Sequence, residues 1–192
     1  MKLSAQWKTL TRDQRRAWNA WAKSNKVLLD DGSERRVSGH KAMTMVLRNR
    51  AIAGDASNPA VLPVAVAWLV GALSLRDGGP FTENLGLVGF RTEQSLSADK
   101  KWFVWATRPV GAEEKDPQRQ LRFVTCFVPG AVNADELIGI NAPYLAVHGS
   151  WDGPGESGAW PVDMFIWFRV HHYSGGHLGP GVVMRGQIQV EL

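Results

Sequence analysis

Two hydrophobic rhythms divide the chain. Over the first fifty or so residues the apolar positions recur at helical spacing. Gln14, Ala17, Trp18, Trp21 and Ala22 lie three and four apart, which makes one face of a helix. Thr11 and Gln14 have the spacing of a capping box, and Asn25 is a plausible stop, so a helix is predicted from Thr11 to about Lys23. Asp31-Gly32 between the short runs 26–29 and 34–37 predicts a hairpin, because glycine accepts the positive φ that a tight type I′ turn needs. Ser38 then caps a second helix over 39–53, with Gly54 just past its end and Ala42, Val46, Leu47 and Ala53 facing inward. Residues 1–54 thus read as a helix–hairpin–helix head.

Residues 55–60 are a linker by composition, and beyond them the period becomes two. Strands are predicted at 64–70, 85–90, 102–107, 121–128, 144–147, 164–173 and 182–190, separated by turn signals such as Pro129-Gly130 and Gly175-Gly176. Evenly spaced short strands without a helical pattern predict an antiparallel β-sandwich over 61–192, so the fold class expected is α+β. In the run 165–170, Ile166, Phe168 and Val170 form a pure apolar row. The opposite row carries Phe165, Trp167, Arg169 and His171, too apolar for free solvent, and calls for a loop, the head or a partner to cover it. In the last strand Arg185, Gln187, Gln189 and Glu191 form a wet outer row. The charge-free run 60–75 contains Pro63 and Gly71 and falls short of the ~20 residues of a membrane helix, so a buried strand pair is expected there.

Charge sharpens the division. Of a net +4, residues 1–60 carry 12 Lys/Arg against 5 Asp/Glu, and residues 61–192 carry 10 against 13. A basic head on a mildly acidic body suits phosphates or an acidic protein face. The head's cations are Arg12, Arg15, Arg16, Lys23, Arg35, Arg36, Lys41, Arg48 and Arg50, all expected to point outward. A single cysteine, Cys126, excludes an intrachain disulfide and sits in a strand pattern as a small buried residue. His171 and His172 point to opposite faces of a strand and are unsuited to share a metal; they and His177 read as turn-adjacent surface histidines. The glycine-rich runs 153–158 and 175–181 lack the strand-to-helix setting and the lysine of a phosphate loop. No serine-nucleophile motif is present, and no cofactor or metal is expected. Of the nine tryptophans, Trp7, Trp18 and Trp21 suit a core for the head, and Trp151, Trp160 and Trp167, with Phe165, suit an interface for self-association.

Trp7, Leu10, Gln14 and Trp18, followed by Gly32, Ser38-Gly39 and Asn49, resemble the N-terminal module of small phage, prophage and environmental-bacterial proteins. Behind that module such proteins often carry a domain similar to fibronectin type III. The stretch 105–109, the run 165–170 and Gly179-Pro180 resemble the strand-C region and F–G hairpin of that domain. The resemblance implies a structural or adhesive role with no catalytic residues to transfer. The expectation is a non-enzymatic assembly protein, a repeated subunit of a phage virion or surface filament whose partners are copies of itself or other particle proteins. No signal-peptide pattern follows Met1, so synthesis in the cytoplasm and residence in a virion or extracellular assembly are expected, with no membrane span. The alternative is a module that binds nucleic acid through the basic head, blind to sequence.

Overall fold

Thr11 closes the capping box that its sequence spells out. Its hydroxyl accepts the Gln14 amide at 3.2 Å, and the Gln14 side chain accepts the Thr11 amide at 2.9 Å. The computed structural model describes residues 3–29, 33–63, 89–91, 101–115, 119–128, 137–149, 164–179 and 181–187. A 3₁₀ turn (Leu3–Ala5) and helix α1 (Gln6–Thr9) precede the capped helix α2 (Arg12–Ser24), which ends at Asn25 as expected. Strands β1 (Val27–Leu28) and β2 (Glu34–Arg35) pair antiparallel, and Ser38 caps helix α3 (Gly39–Ile52). At its far end Gly54, at φ +71°, completes a Schellman motif: Asp55 N–H donates to Arg50 C=O and Gly54 N–H to Ala51 C=O. The architecture is mixed helix and antiparallel sheet, the expected α+β class.

The chain divides into two compact units, Met1–Trp68 with His172–Pro180, and Leu69–His171 with Gly181–Leu192. The core of the first unit gathers Leu10, Trp18, Ala22 and Val27 around Ala42, Met43, Val46 and Leu47 of α3, with Trp7 and Trp21 packed at its margin. Trp18, only 1% exposed, donates its indole N–H to the Pro59 carbonyl at 2.8 Å, which satisfies its one buried polar atom. Gly39 explains the Ser-Gly pair at the start of α3. A Cβ there would lie 2.7 Å from the Asn19 nitrogen and 2.8 Å from the Trp18 carbonyl carbon. Only glycine lets the two helices approach this closely, and Asn19 Oδ1 uses the gap to accept the Gly39 amide at 3.1 Å.

The second segment of this unit is a hairpin tip from far along the chain. Strand β7 (Phe165–Ser174) turns through Gly175 and Gly176, at φ +51° and +99°, into strand β8 (His177–Leu178). Two consecutive positive φ values are those of the type I′ turn. A Cβ on Gly176 would lie 2.6 Å from Val46 Cγ1, so the tip sits against α3 only because that residue is glycine. Asn49 Nδ2 donates to Gly176 C=O at 3.0 Å, and the Tyr173 hydroxyl bonds to Asp55.

In the second unit, strands β4 (Lys101–Ala106) and β5 (Arg122–Phe127) pair antiparallel, β7 lies next to β4, and β9 (Val182–Gln187) pairs antiparallel with β7. With β8 these make a five-stranded sheet in which β8 and β9 both border β7 on the side away from β4. A separate antiparallel pair joins β3 (Gly89–Arg91) to β6 (Leu137–Gly139). The predicted apolar row of Ile166, Phe168 and Val170 is buried with Trp102, Val104, Ala106 and Tyr144. One predicted strand is corrected. Residues 144–147 lie in helix α4 (Asn141–His148). Pro143 sits in its first turn, where a missing N–H costs nothing, and Ala142, Leu145 and Ala146 are good helix formers. The predicted strand at 64–70, residues 85–88 and 188–190 of two others, and the Asp31-Gly32 turn lie outside the described residues. Among the described residues no helix is long and apolar enough to cross a membrane.

Replacing Gly39 by Ala is expected to destabilise the protein by about 1–3 kcal/mol, because the added methyl meets helix backbone as well as the Asn19 side chain. Urea denaturation followed by tryptophan fluorescence checks this; an unchanged midpoint contradicts the close helix contact.

Candidate functional site

Helix α2 separates its residues by chemistry. Trp18 and Ala22 go into the core, while Arg12, Arg16 and Lys23 stand exposed on the other side, at spacings of four and seven residues. Among the described residues one ion pair is found on this helix: Arg16 Nη1 to Asp13 Oδ1 at 3.6 Å joins two exposed side chains and leaves most of the positive field standing. Arg15 is half-buried, and its Nε is shut off from solvent without a hydrogen-bond partner. Arg35, Arg36, Lys41 and Arg48 are exposed, with Arg35 Nε held by Ser33 Oγ at 2.8 Å.

Arg50 is the exception and a correction. It is 5% exposed and serves the fold. Its Nε donates to Gly175 C=O, and its Nη1 donates to both Asn58 C=O and Val61 C=O, each at 2.9 Å. A guanidinium is the side chain suited to this, with five fixed donors radiating in a plane. Desolvation pushes its pKa down from the ordinary arginine value, against the raising influence of Tyr173 and Asp55.

On the sheet, Phe165 and Trp167 are half-buried rather than open to solvent. The Arg185 guanidinium lies over both rings, 4.5 Å from the Phe165 centroid and 5.6 Å from that of Trp167. Further along the same row Arg169 is buried, and His171 is fully buried with its ring edge-on to Trp105 at 5.1 Å. His171 is therefore no surface histidine: it faces a neighbouring strand's tryptophan instead of the turn. Trp151 and Trp160 lie outside the described residues. Cys126 is half-buried on β5. Among the described residues no three His, Cys, Asp or Glu side chains stand close enough to hold a metal.

One polar cluster is absent from the sequence reading, because residues 144–147 read as a strand. Tyr144 and His148 meet on one side of α4 with ring centroids 4.7 Å apart and planes tilted by 44°. The Tyr144 hydroxyl donates to Thr107 C=O at 2.9 Å, and His148 Nε2 lies 3.2 Å from Ala106 C=O, which only the Nε2–H tautomer can satisfy. Thr107 Oγ1 in turn accepts the Trp167 amide at 3.1 Å. Burial raises the Tyr144 pKa far above its ordinary value. The Pro143-to-His148 spacing, two ring side chains four apart behind a helix-starting proline, is the signal that identifies it. The cluster ties α4 to the end of β4 through backbone carbonyls.

His177 does the same work on the hairpin tip. Its ring meets Trp21 edge-on at 5.2 Å, and Nε2 lies 3.2 Å from Lys26 C=O. Burial lowers the pKa of both His148 and His177 from 6.5, with the backbone hydrogen bonds opposing the shift. A lowered folded-state pKa means that the unfolded chain binds more protons just below 6.5. The contribution of both histidines is therefore complete above that pH and is lost as pH falls below it. Melting temperature measured across this range is expected to drop with acidification, less steeply in the His177→Gln and His148→Gln variants. In urea titrations Arg50→Ala is expected to cost about 3 kcal/mol or more and Arg48→Ala no more than about 0.5 kcal/mol. Equal losses for the two would contradict the buried role of Arg50.

Compared with models of known protein families, with curated protein sequences and with solved structures, the chain matches none.

Proposed function

We propose that this chain is a non-enzymatic structural protein, a repeated subunit that assembles with copies of itself or with other proteins of a phage virion or surface filament. The observation that carries this reading is the exposed cationic line Arg12, Arg16 and Lys23 on one side of α2, with Asp13 as its acidic neighbour. The buried polar side chains support it from the other direction. Arg50, Tyr144, His148, His177 and Trp18 each spend their donors on backbone carbonyls, which is the work of holding a shape. We infer, in keeping with the fibronectin-like motifs, that the five-stranded sheet and the β3–β6 pair are the two layers of an immunoglobulin-like sandwich, and that the helix–hairpin–helix head is its docking module. The acidic body supplies a matching charge for the head of a neighbouring copy.

The same line of cations also suits a second partner, the phosphate backbone of nucleic acid. One salt titration with two readouts, particle size and DNA binding, separates the readings. Assembly through the head predicts particles that dissolve as salt rises and that fail to form when Arg12, Arg16 and Lys23 are changed to Ala. Nucleic-acid binding predicts instead a dispersed protein whose DNA affinity falls steeply with salt. In that case the triple variant flattens the log–log slope by about 3. A dispersed protein that binds DNA in this way overturns the assembly reading.

A further inference from the structure

The outer edge of the five-stranded sheet, at β9, carries an inference that rests on the assembly reading and specifies one of its contacts. The hydrogen-bond pattern of β7 fixes which way β9 points. Phe165 exchanges both backbone hydrogen bonds with Val110 at 2.8 Å, and Trp167 C=O accepts from Thr107 N–H at 3.0 Å. The odd residues of β7 therefore turn their backbone groups toward the β4 side, and the even residues turn theirs toward β9. In the register Ile166–Gly186, Phe168–Met184 and Val170–Val182, it is the even residues of β9 that bond to β7. Val183 and Arg185 must then aim their N–H and C=O groups away from the sheet, and among the described residues no hydrogen bond reaches them there.

Natural sheets guard such an edge with a projecting charge, a proline or a bulge. This edge lacks all three between Val182 and Gln187. The register β7–β9 is unbroken, there is no proline, and the one charge, Arg185, is drawn back over the Phe165 and Trp167 rings of its own sheet. The other outward residue, Val183, is apolar and 43% exposed.

We infer that the β9 edge is a site of self-association, at which β9 of a second copy adds antiparallel about a two-fold axis. The strand is self-complementary in one register. With Met184 on the axis, Val183 stands opposite the partner's Arg185 and Arg185 opposite the partner's Val183. Each pair exchanges two backbone hydrogen bonds, and Val183 packs on the aliphatic stem of the facing arginine. The two arginines are then only diagonal neighbours, and each guanidinium is already turned toward its own rings, so like charges do not oppose each other. The pairing is isologous and closes at two copies, which leaves the head free for a different contact.

The test is the mass of the full-length protein in solution against concentration, at high salt, where contacts through the head are screened. The expected result is a dimer that persists at high salt. Val183→Pro removes an N–H that bonds to nothing in the sheet, and edge strands tolerate such a proline, so the variant is expected to keep its fold and remain monomeric. Val183→Lys keeps the amide but places a charge against the partner's arginine, and is expected to weaken the dimer at least about tenfold, with an unchanged melting temperature at dilutions where both proteins are monomeric. It decides the matter if the proline variant does not fold. Wild type that stays monomeric at high concentration and high salt, or variants that dimerise like wild type, overturn the proposal. Assembly that vanishes with salt and ignores Val183 overturns it as well, while leaving assembly through the head intact.

Discussion

The first unit depends on what surrounds one guanidinium. Arg50 is buried at the end of α3 and holds three pieces of backbone at once: Asn58 and Val61 in the segment after the helix, and Gly175 at the turn between β7 and β8. A buried cation is costly unless every donor finds an acceptor, so the arginine stabilises the unit only when both segments are in place. Around it the remaining features fall into line. The Schellman motif uses the Arg50 carbonyl itself, Asp55 of that motif receives the Tyr173 hydroxyl, and Asn49 holds Gly176. Backbone carbonyls carry most of the load, which places the positive charge in a field of dipoles rather than in a single ion pair.

Features written in a few adjacent residues were legible from the sequence. The Thr11–Gln14 box, the Ser38 cap, the Gly54 terminus and the Gly175-Gly176 turn all appear as read, because each is decided by contacts within about one helical turn. The buried row of Ile166, Phe168 and Val170 was legible for a related reason, since strict alternation admits one inner face.

What was missed turned on weighing one signal against another. Arg50 follows Val46 by four residues and Leu47 by three, so the helical period places it inward; its charge alone argued for the surface, and the period won. Residues 144–147 are too few to distinguish a period of two from one of 3.6, and the deciding signal was Pro143 at the start of the turn. The stacking of Arg185 on Trp167 follows from the register across the β7–β9 pair, which the amino-acid pattern of either strand leaves open. Arg12, Arg16 and Lys23 of α2 stand exposed as the amphipathic pattern places them, since the tryptophan on the far side fixes the helix by its bulk, whereas Arg15, also read as outward, is half-buried.

The separation between Arg50 and its acceptor at Gly175, 125 residues, has a consequence for synthesis. As the chain leaves the ribosome, α2 and α3 emerge before β7, with their caps and much of their apolar core already available. The hairpin tip that accepts from Arg50 is still to be made, so until β7 and β8 emerge the arginine must stay hydrated and α3 must leave that flank open. The last step of the first unit's folding therefore waits on the 125 residues between donor and acceptor, and closing so long a loop makes that step slow compared with forming the helices.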